Sequence, residues 1–251
     1  MTDEESMRSE SPPPSSFPLH QIWLQGEERL PSKYLPSVNA YRSMTSGYRL
    51  WSYRQIVDLM QTEEYRWLLS TFNAYGHWVM RVDLAKYVIL HRYGGFYVDM
   101  DTTVRASFEP LTSERSKVII ERVTDDAILK HLLWLWTFVN NHFFWVPYPN
   151  HPFMTATLHL ASRLATRMPY EFLTWYILDS TGPNLIYTVM EAHPGLVKLM
   201  DSQELRKYFV HDNHRTWISV DTQDKIIAAV GLLFIALLIR ALLWRRTSKP
   251  V

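Results

Sequence analysis

Asp99 and Asp101 sit one residue apart at the end of YGGFYVDMD, Tyr93 to Asp101. Two neighbouring carboxylates repel each other and shift each other's pKa. A bound divalent cation removes that penalty. Hard cations such as Mg2+ and Mn2+ prefer oxygen ligands, often one or two carboxylates plus substrate phosphates. In a strand, residues two apart point the same way, so both acids share a face if the strand runs through them. They come late in the strand, and open α/β sheets bind ligands beyond the carboxyl ends of their strands. The pair predicts a metal–diphosphate site. A bare Asp-x-Asp is common by chance and on its own reads first as a solvated strand end, so the surrounding elements must decide.

Those elements alternate. PLHQIWLQG reads as a short strand ending at Gly26, and YRLWSY from Tyr48 as another. Helical patterns follow in QIVDLMQTEEYRWLLSTF and VMRVDLAKYVILHRY. In the second, Val82, Ala85, Val88 and Ile89 build one apolar face. Gly94 and Gly95 stop that helix. FYVDMDTTV and SKVIIERV read as strands, ILKHLLWLWTFVNNHFFWV as either helix or strand, and 152–168 and 184–192 as helices. Pro183 after Gly182 marks a first helical turn. Helices alternating with strands argue an α/β sheet.

The chain has 251 residues, 47% of them apolar, enough for one domain with a real core. A net charge of +1 without a basic stripe argues against nucleic acid as a partner. The absence of cysteine excludes disulfides and thiolate metal sites. Residues 1–16 are polar with three consecutive prolines and read as a disordered arm, lacking the apolar run of a signal peptide. Ile226 to Trp244 is nineteen residues with one charge, Arg240, and is long enough to span hydrocarbon. The basic tail 245–251 follows it. The positive-inside rule puts that tail in the cytosol and the folded part in the lumen.

LHQIWLQG (19–26), DLAKYVILHRYGGFYVDMD (83–101), STGPN and HDNHRTW (211–217) stand in this order. In these segments the chain resembles the family 32 glycosyltransferases that carry a sugar-binding DXD motif. Within that family it is most similar to the mannosyltransferases that build mannosylinositol phosphorylceramide. The resemblance runs from about residue 18 to 220. It implies a GT-A-like nucleotide-sugar-binding domain over 17–220, an open, mostly parallel sheet flanked by helices, followed by the transmembrane helix 226–244.

By that resemblance Asp99 and Asp101 are the catalytic DXD, with Asp101 the more direct metal ligand and Asp99 nearer the sugar. Trp23 lies near the donor base, and Asp83 hydrogen-bonds donor hydroxyls. Gly94 and Gly95 turn the chain under the nucleotide, and Trp217 is a further nucleotide-sugar-binding residue. His214 is the further metal ligand, with His211 and Asn213 as alternatives. Lys86 stands where the family has arginine, keeping the charge but losing the bidentate fork. The implied activity is metal-dependent (Mn2+ or Mg2+), retaining transfer of mannose from GDP-mannose to inositol phosphorylceramide. A glycoprotein or oligosaccharide acceptor is the alternative. So is an inactive membrane-anchored binding or regulatory protein on a degenerate transferase fold, for which Lys86 is the best argument. A Golgi membrane, a lumenal catalytic domain and a regulatory subunit are further expectations of the resemblance.

Overall fold

A computed structural model describes residues 15–123, 139–167, 172–212, 225, 229–233 and 235. A six-stranded sheet forms its centre, in the order β2-β1-β3-β6-β5-β7. These strands are β1 (Ser15–Ile22), β2 (Thr45–Trp51), β3 (Gly95–Val98), β5 (Val118–Arg122), β6 (Val139–Val146) and β7 (Val197–Asp201). β1 pairs parallel with β2 and β3, and β5 with β7, while β6 runs antiparallel to both β3 and β5. Five strands thus point one way and only β6 opposes them. A separate two-stranded ribbon pairs β4 (Thr102–Val104) with β8 (Phe209–His211).

Both faces of the sheet are covered, which is why its strands read as nearly unbroken apolar runs. Alternation divides them between two cores. Tyr97, Val118, Ile120, Phe144 and Val146 face the larger core. Phe96, Val98, Ile119, Phe143 and Trp145 face the smaller one with Tyr41, Phe108 and Phe209. The larger core packs under α2 (Tyr53–Met60), α3 (Arg66–Ala74), α4 (Trp78–Tyr93), α5 (Pro152–Arg163), α6 (Leu173–Ser180) and α7 (Pro183–Ala192). The smaller one lies under α1 (Leu35–Met44), and a short α8 (Ser202–Leu205) follows β7.

The helical reading of 55–72 resolves into two helices, α2 and α3, broken at Gln61–Tyr65. α4 differs from its expected single apolar face. Met80 and every residue from Asp83 to Leu90 are buried, so it is a central helix with core on nearly all sides. The ambiguous run ending at Val146 holds β6 in its second half, and residues 124–138 lie outside the described set. Pro183 does open α7. The arm up to residue 14, the tail and most of 226–244 also lie outside it. Among the described residues no helix is long and apolar enough to cross a membrane. The described positions of 226–244 are helical and expose Val230, Leu232, Leu233 and Ile235 at 53–68%.

The glycine pair meets a backbone requirement of its own. Gly94 caps α4 and Gly95 opens β3, at the end of the strand opposite Asp99. Both have positive φ, +63° and +85°. A Cβ on Gly95 would lie 2.4 Å from the Pro18 carbonyl oxygen of β1. The glycine lets β1 and β3 pair closely enough to bring their carboxyl ends level. Gly95→Ala is expected to destabilise the fold by more than about 2 kcal/mol through the clash and the left-handed φ. Urea denaturation of the variant beside wild type measures it.

Candidate active site

The two aspartates do not share a strand face. β3 ends at Val98, and Asp99, Met100 and Asp101 form a turn before β4 begins at Thr102. The turn is stitched by polar contacts. Thr102 Oγ1 donates to the Asp99 carbonyl at 2.7 Å, and Asp99 N donates to the His142 carbonyl at 2.9 Å. Gln21 Nε2 reaches the same Asp99 carbonyl at 3.3 Å. Asp99 N thus makes one last bond to β6, while two side chains take the Asp99 carbonyl and turn chemistry replaces the alternation of a strand.

β8 then supplies a third group. Thr102 pairs with His211, and Asp212 N donates to the Asp101 carbonyl at 2.8 Å. His211 Nε2 lies 3.2 Å from Asp101 Oδ1. Ligand atoms of Asp99, Asp101 and His211 all fall within 4.8 Å of one another. Two carboxylates and an imidazole, all partly exposed, suit a hard divalent cation. Among the described residues His211 is therefore the histidine at the pair. His214, Asn213 and Trp217 lie outside them.

Asp83 and Lys86 sit beneath the pair rather than open to a ligand, with side chains 6% and 2% exposed. One turn of α4 separates them, which puts both on the face toward β3. Lys86 Nζ is 2.9 Å from Asp83 Oδ1 and 3.4 Å from Asp99 Oδ1, and donates to the Asn141 carbonyl at 3.0 Å. Asp83 also accepts from Asn141 Nδ2 at 3.1 Å and from Thr181 Oγ1 at 3.2 Å. Tyr97 OH donates to Asp99 Oδ1 at 2.9 Å. Burial alone would lower the pKa of Lys86, but Asp83 and Asp99 outweigh it and hold the ammonium above its ordinary range. Lys86 thus links the buried Asp83 to Asp99.

Trp23 lies just beyond β1, at the same end of the sheet as Asp99, and is partly exposed. Its Nε1 donates to the Arg29 carbonyl at 3.1 Å, and its ring is 5.5 Å from that of Tyr34. An aromatic surface held this way can receive a flat ring. The rest of its motif is structural: His20 Nε2 donates to the Gly94 carbonyl at 3.1 Å, and Trp51 Nε1 donates to His20 Nδ1 at 3.3 Å.

Sequence reasoning missed Gln21, Tyr97, Glu121, Asn141 and His142. The available signal was polarity where none was required: Asn-Asn-His inside an apolar run, and one acid in VIIERV.

Burial lowers the pKa of His20 to about 4. Burial, then the neighbouring His211, lowers that of His142 to about 3. An unfolded histidine takes up its proton near 6.5, so the unfolded chain binds protons first. Stability from these two groups is present above 6.5 and falls as pH drops toward about 4, with a slope of about 1.4 kcal/mol per pH unit each. His211 acts in the opposite sense. Burial would lower it, but Asp101 and Asp99 raise it overall, so its contribution is lost as pH rises through that raised value. The urea midpoint of the metal-free chain is expected to fall between pH 6.5 and pH 5. A flat profile there contradicts the burial of neutral His20 and His142.

The profile of the family described as "Glycosyltransferase sugar-binding region containing DXD motif" matches residues 33–118, which include Asp83, Lys86, Asp99 and Asp101. The chain is 25% identical over 260 residues to inositol phosphoceramide mannosyltransferase 1 of Schizosaccharomyces pombe, covering 93% of this chain and 75% of that one. It is 30% identical over 195 residues to the mannosyl phosphorylinositol ceramide synthase SUR1 of Saccharomyces cerevisiae, covering 76% of this chain and 46% of that one. Among solved structures, the PaToxG glycosyltransferase aligns with a TM-score of 0.48 at 16% identity, over 73% of this chain and 72% of that one.

Proposed function

The chain carries the sugar-binding region of the DXD glycosyltransferases and is a glycosyltransferase; from that premise we propose that it moves mannose from GDP-mannose to inositol phosphorylceramide. The observation that carries this reading is the meeting of Asp99, Asp101 and His211 within 4.8 Å beyond the end of β3. These three would hold Mn2+ or Mg2+, which would supply positive charge for the departing diphosphate. Lys86 and Tyr97 hold Asp99 in one orientation beforehand, so no rearrangement is needed as charge develops on the leaving group. Trp23 would stack on the base of the donor. We take the fold to be GT-A-type and the transfer to retain anomeric configuration, with no separate side-chain nucleophile assigned.

The acceptor is argued from two sources. Both fungal relatives are named for phosphoinositol ceramide mannosylation. The exposed apolar positions of 226–244 fit a segment that inserts in a bilayer, and a lipid acceptor sits at such a surface. We assign the span to 226–244, with the basic tail cytosolic and the domain 17–220 in the Golgi lumen. Lys86 gives no support to a degenerate, non-catalytic reading. It is tied into Asp83 and Asp99 by ion pairs and leaves the paired carboxylates intact.

A donor screen with Mn2+, comparing GDP-mannose with UDP- and ADP-sugars, tests the first half. Offering inositol phosphorylceramide beside an oligosaccharide acceptor tests the second. The expected product is mannosylated ceramide lipid. Transfer only to the oligosaccharide overturns the lipid assignment, and turnover of another nucleotide sugar alone overturns the donor.

A further inference from the structure

The metal reading needs three ligands held at fixed angles. Asp99 is gripped by Lys86 and Tyr97. His211 sits on a three-residue strand of a two-stranded ribbon, a unit that fixes little by itself. What meets the flat face of its ring is His142, stacked at 4.1 Å between centroids and 17° between planes. Phe209, two residues before His211 on the same strand, meets His142 edge-on at 5.8 Å and stacks on Phe143 at 5.1 Å. His142 thus touches the ribbon with its ring and Asp99 with its carbonyl.

The other edge of His142 is unusual. Its Nε2 is buried, lies 3.2 Å from Glu121 Oε2, and is aligned with no hydrogen-bond acceptor among the described residues. Glu121 is itself buried and accepts from Asn140 Nδ2 at 2.7 Å. An acid and an imidazole inside a sheet cost desolvation that an apolar pair of the same size would not. Phe143 and Phe144 show that this region of β6 packs well with apolar side chains. Core packing therefore does not account for the pair.

We propose that His142 and Glu121 are positioning residues for metal uptake: His142 braces the plane of the His211 imidazole, and Glu121 fixes which edge of His142 faces inward. The inference rests on the metal reading of Asp99, Asp101 and His211. Partners hydrogen-bonded behind a ligating histidine commonly change metal affinity by about 10- to 100-fold when removed, and a stacked partner that fixes the ring plane is expected to act at the lower end of that range.

The test is Mn2+ titration of the full chain in detergent with GDP present, reading free Mn2+ by electron paramagnetic resonance. The melting temperature of each metal-free variant is recorded alongside. His142→Ala is expected to weaken Mn2+ binding about tenfold or more. His142→Phe, which keeps a flat ring over His211, stays within about threefold of wild type, and Glu121→Gln falls between the two. Should His142→Ala not fold, His142→Gln takes its place as a ringless variant. Unchanged Mn2+ affinity in the ringless variant overturns the brace, even if its melting temperature falls. So does a loss in His142→Phe as large as in the ringless variant. Wild type that takes up no Mn2+ with GDP overturns the metal reading itself, and the brace with it.

Discussion

Asp101→Ala is expected to lower mannosyl transfer at least about a hundredfold while leaving the fold intact. Asp101 lies in a turn, and its side chain is 18% exposed. Its carboxylate faces His211 at 3.2 Å rather than the buried network around Lys86. Removing it deletes a proposed metal ligand and a charge partner of His211, but strands no buried ion. The effect should therefore appear in turnover and in metal affinity, with little change in melting temperature. Asp99 is the poorer probe, because it also receives Lys86 and Tyr97. GDP release from GDP-mannose, measured with Mn2+ for both proteins at equal concentration, gives the answer.

Lys86→Met is expected to act mainly on stability. The ammonium is 2% exposed and compensates two carboxylates, one of them on the buried Asp83. Breaking a buried ion pair from one side costs about 3–5 kcal/mol, because the remaining charge is left without a partner. At about 2–4 °C per kcal/mol for a domain of this size, the melting temperature should fall by roughly 10 °C. Lys86→Arg keeps the charge but must place a larger planar group in a closed space, at a cost of about 1–3 kcal/mol. Calorimetry of both variants separates charge from shape. If Lys86→Met melts like wild type, the buried ion pair of Lys86 with Asp83 does not exist in solution.

The sheet was legible because its apolar runs are long and bounded by clear stops. VIIER and FYV could hardly be anything but buried strands. The reversal of β6 was not legible, since an antiparallel strand between two others has the same apolar pattern as a parallel one. Asp83, Lys86, Asp99 and Asp101 were found by their order in one segment. Their layering was not: an acid and a lysine three apart on a helix look the same whether solvated or buried. Gly94 and Gly95 were legible as a helix stop, but the close approach of Pro18 that Gly95 permits was not, since it comes from a strand far away in sequence. His211 comes from a ribbon partner 110 positions after Asp101, a pairing that no local pattern encodes. Glu121 and His142 meet only because β5 and β6 are neighbours.

The central claim is that Asp99, Asp101 and His211 hold a divalent cation on which donor turnover depends. Turnover of GDP-mannose by chelator-treated chain, before and after Mn2+ is added back, addresses it most directly. Loss of turnover with the chelator and recovery with Mn2+ in wild type, without recovery in Asp101→Ala, is the predicted result. Full turnover in the chelated chain would contradict the claim.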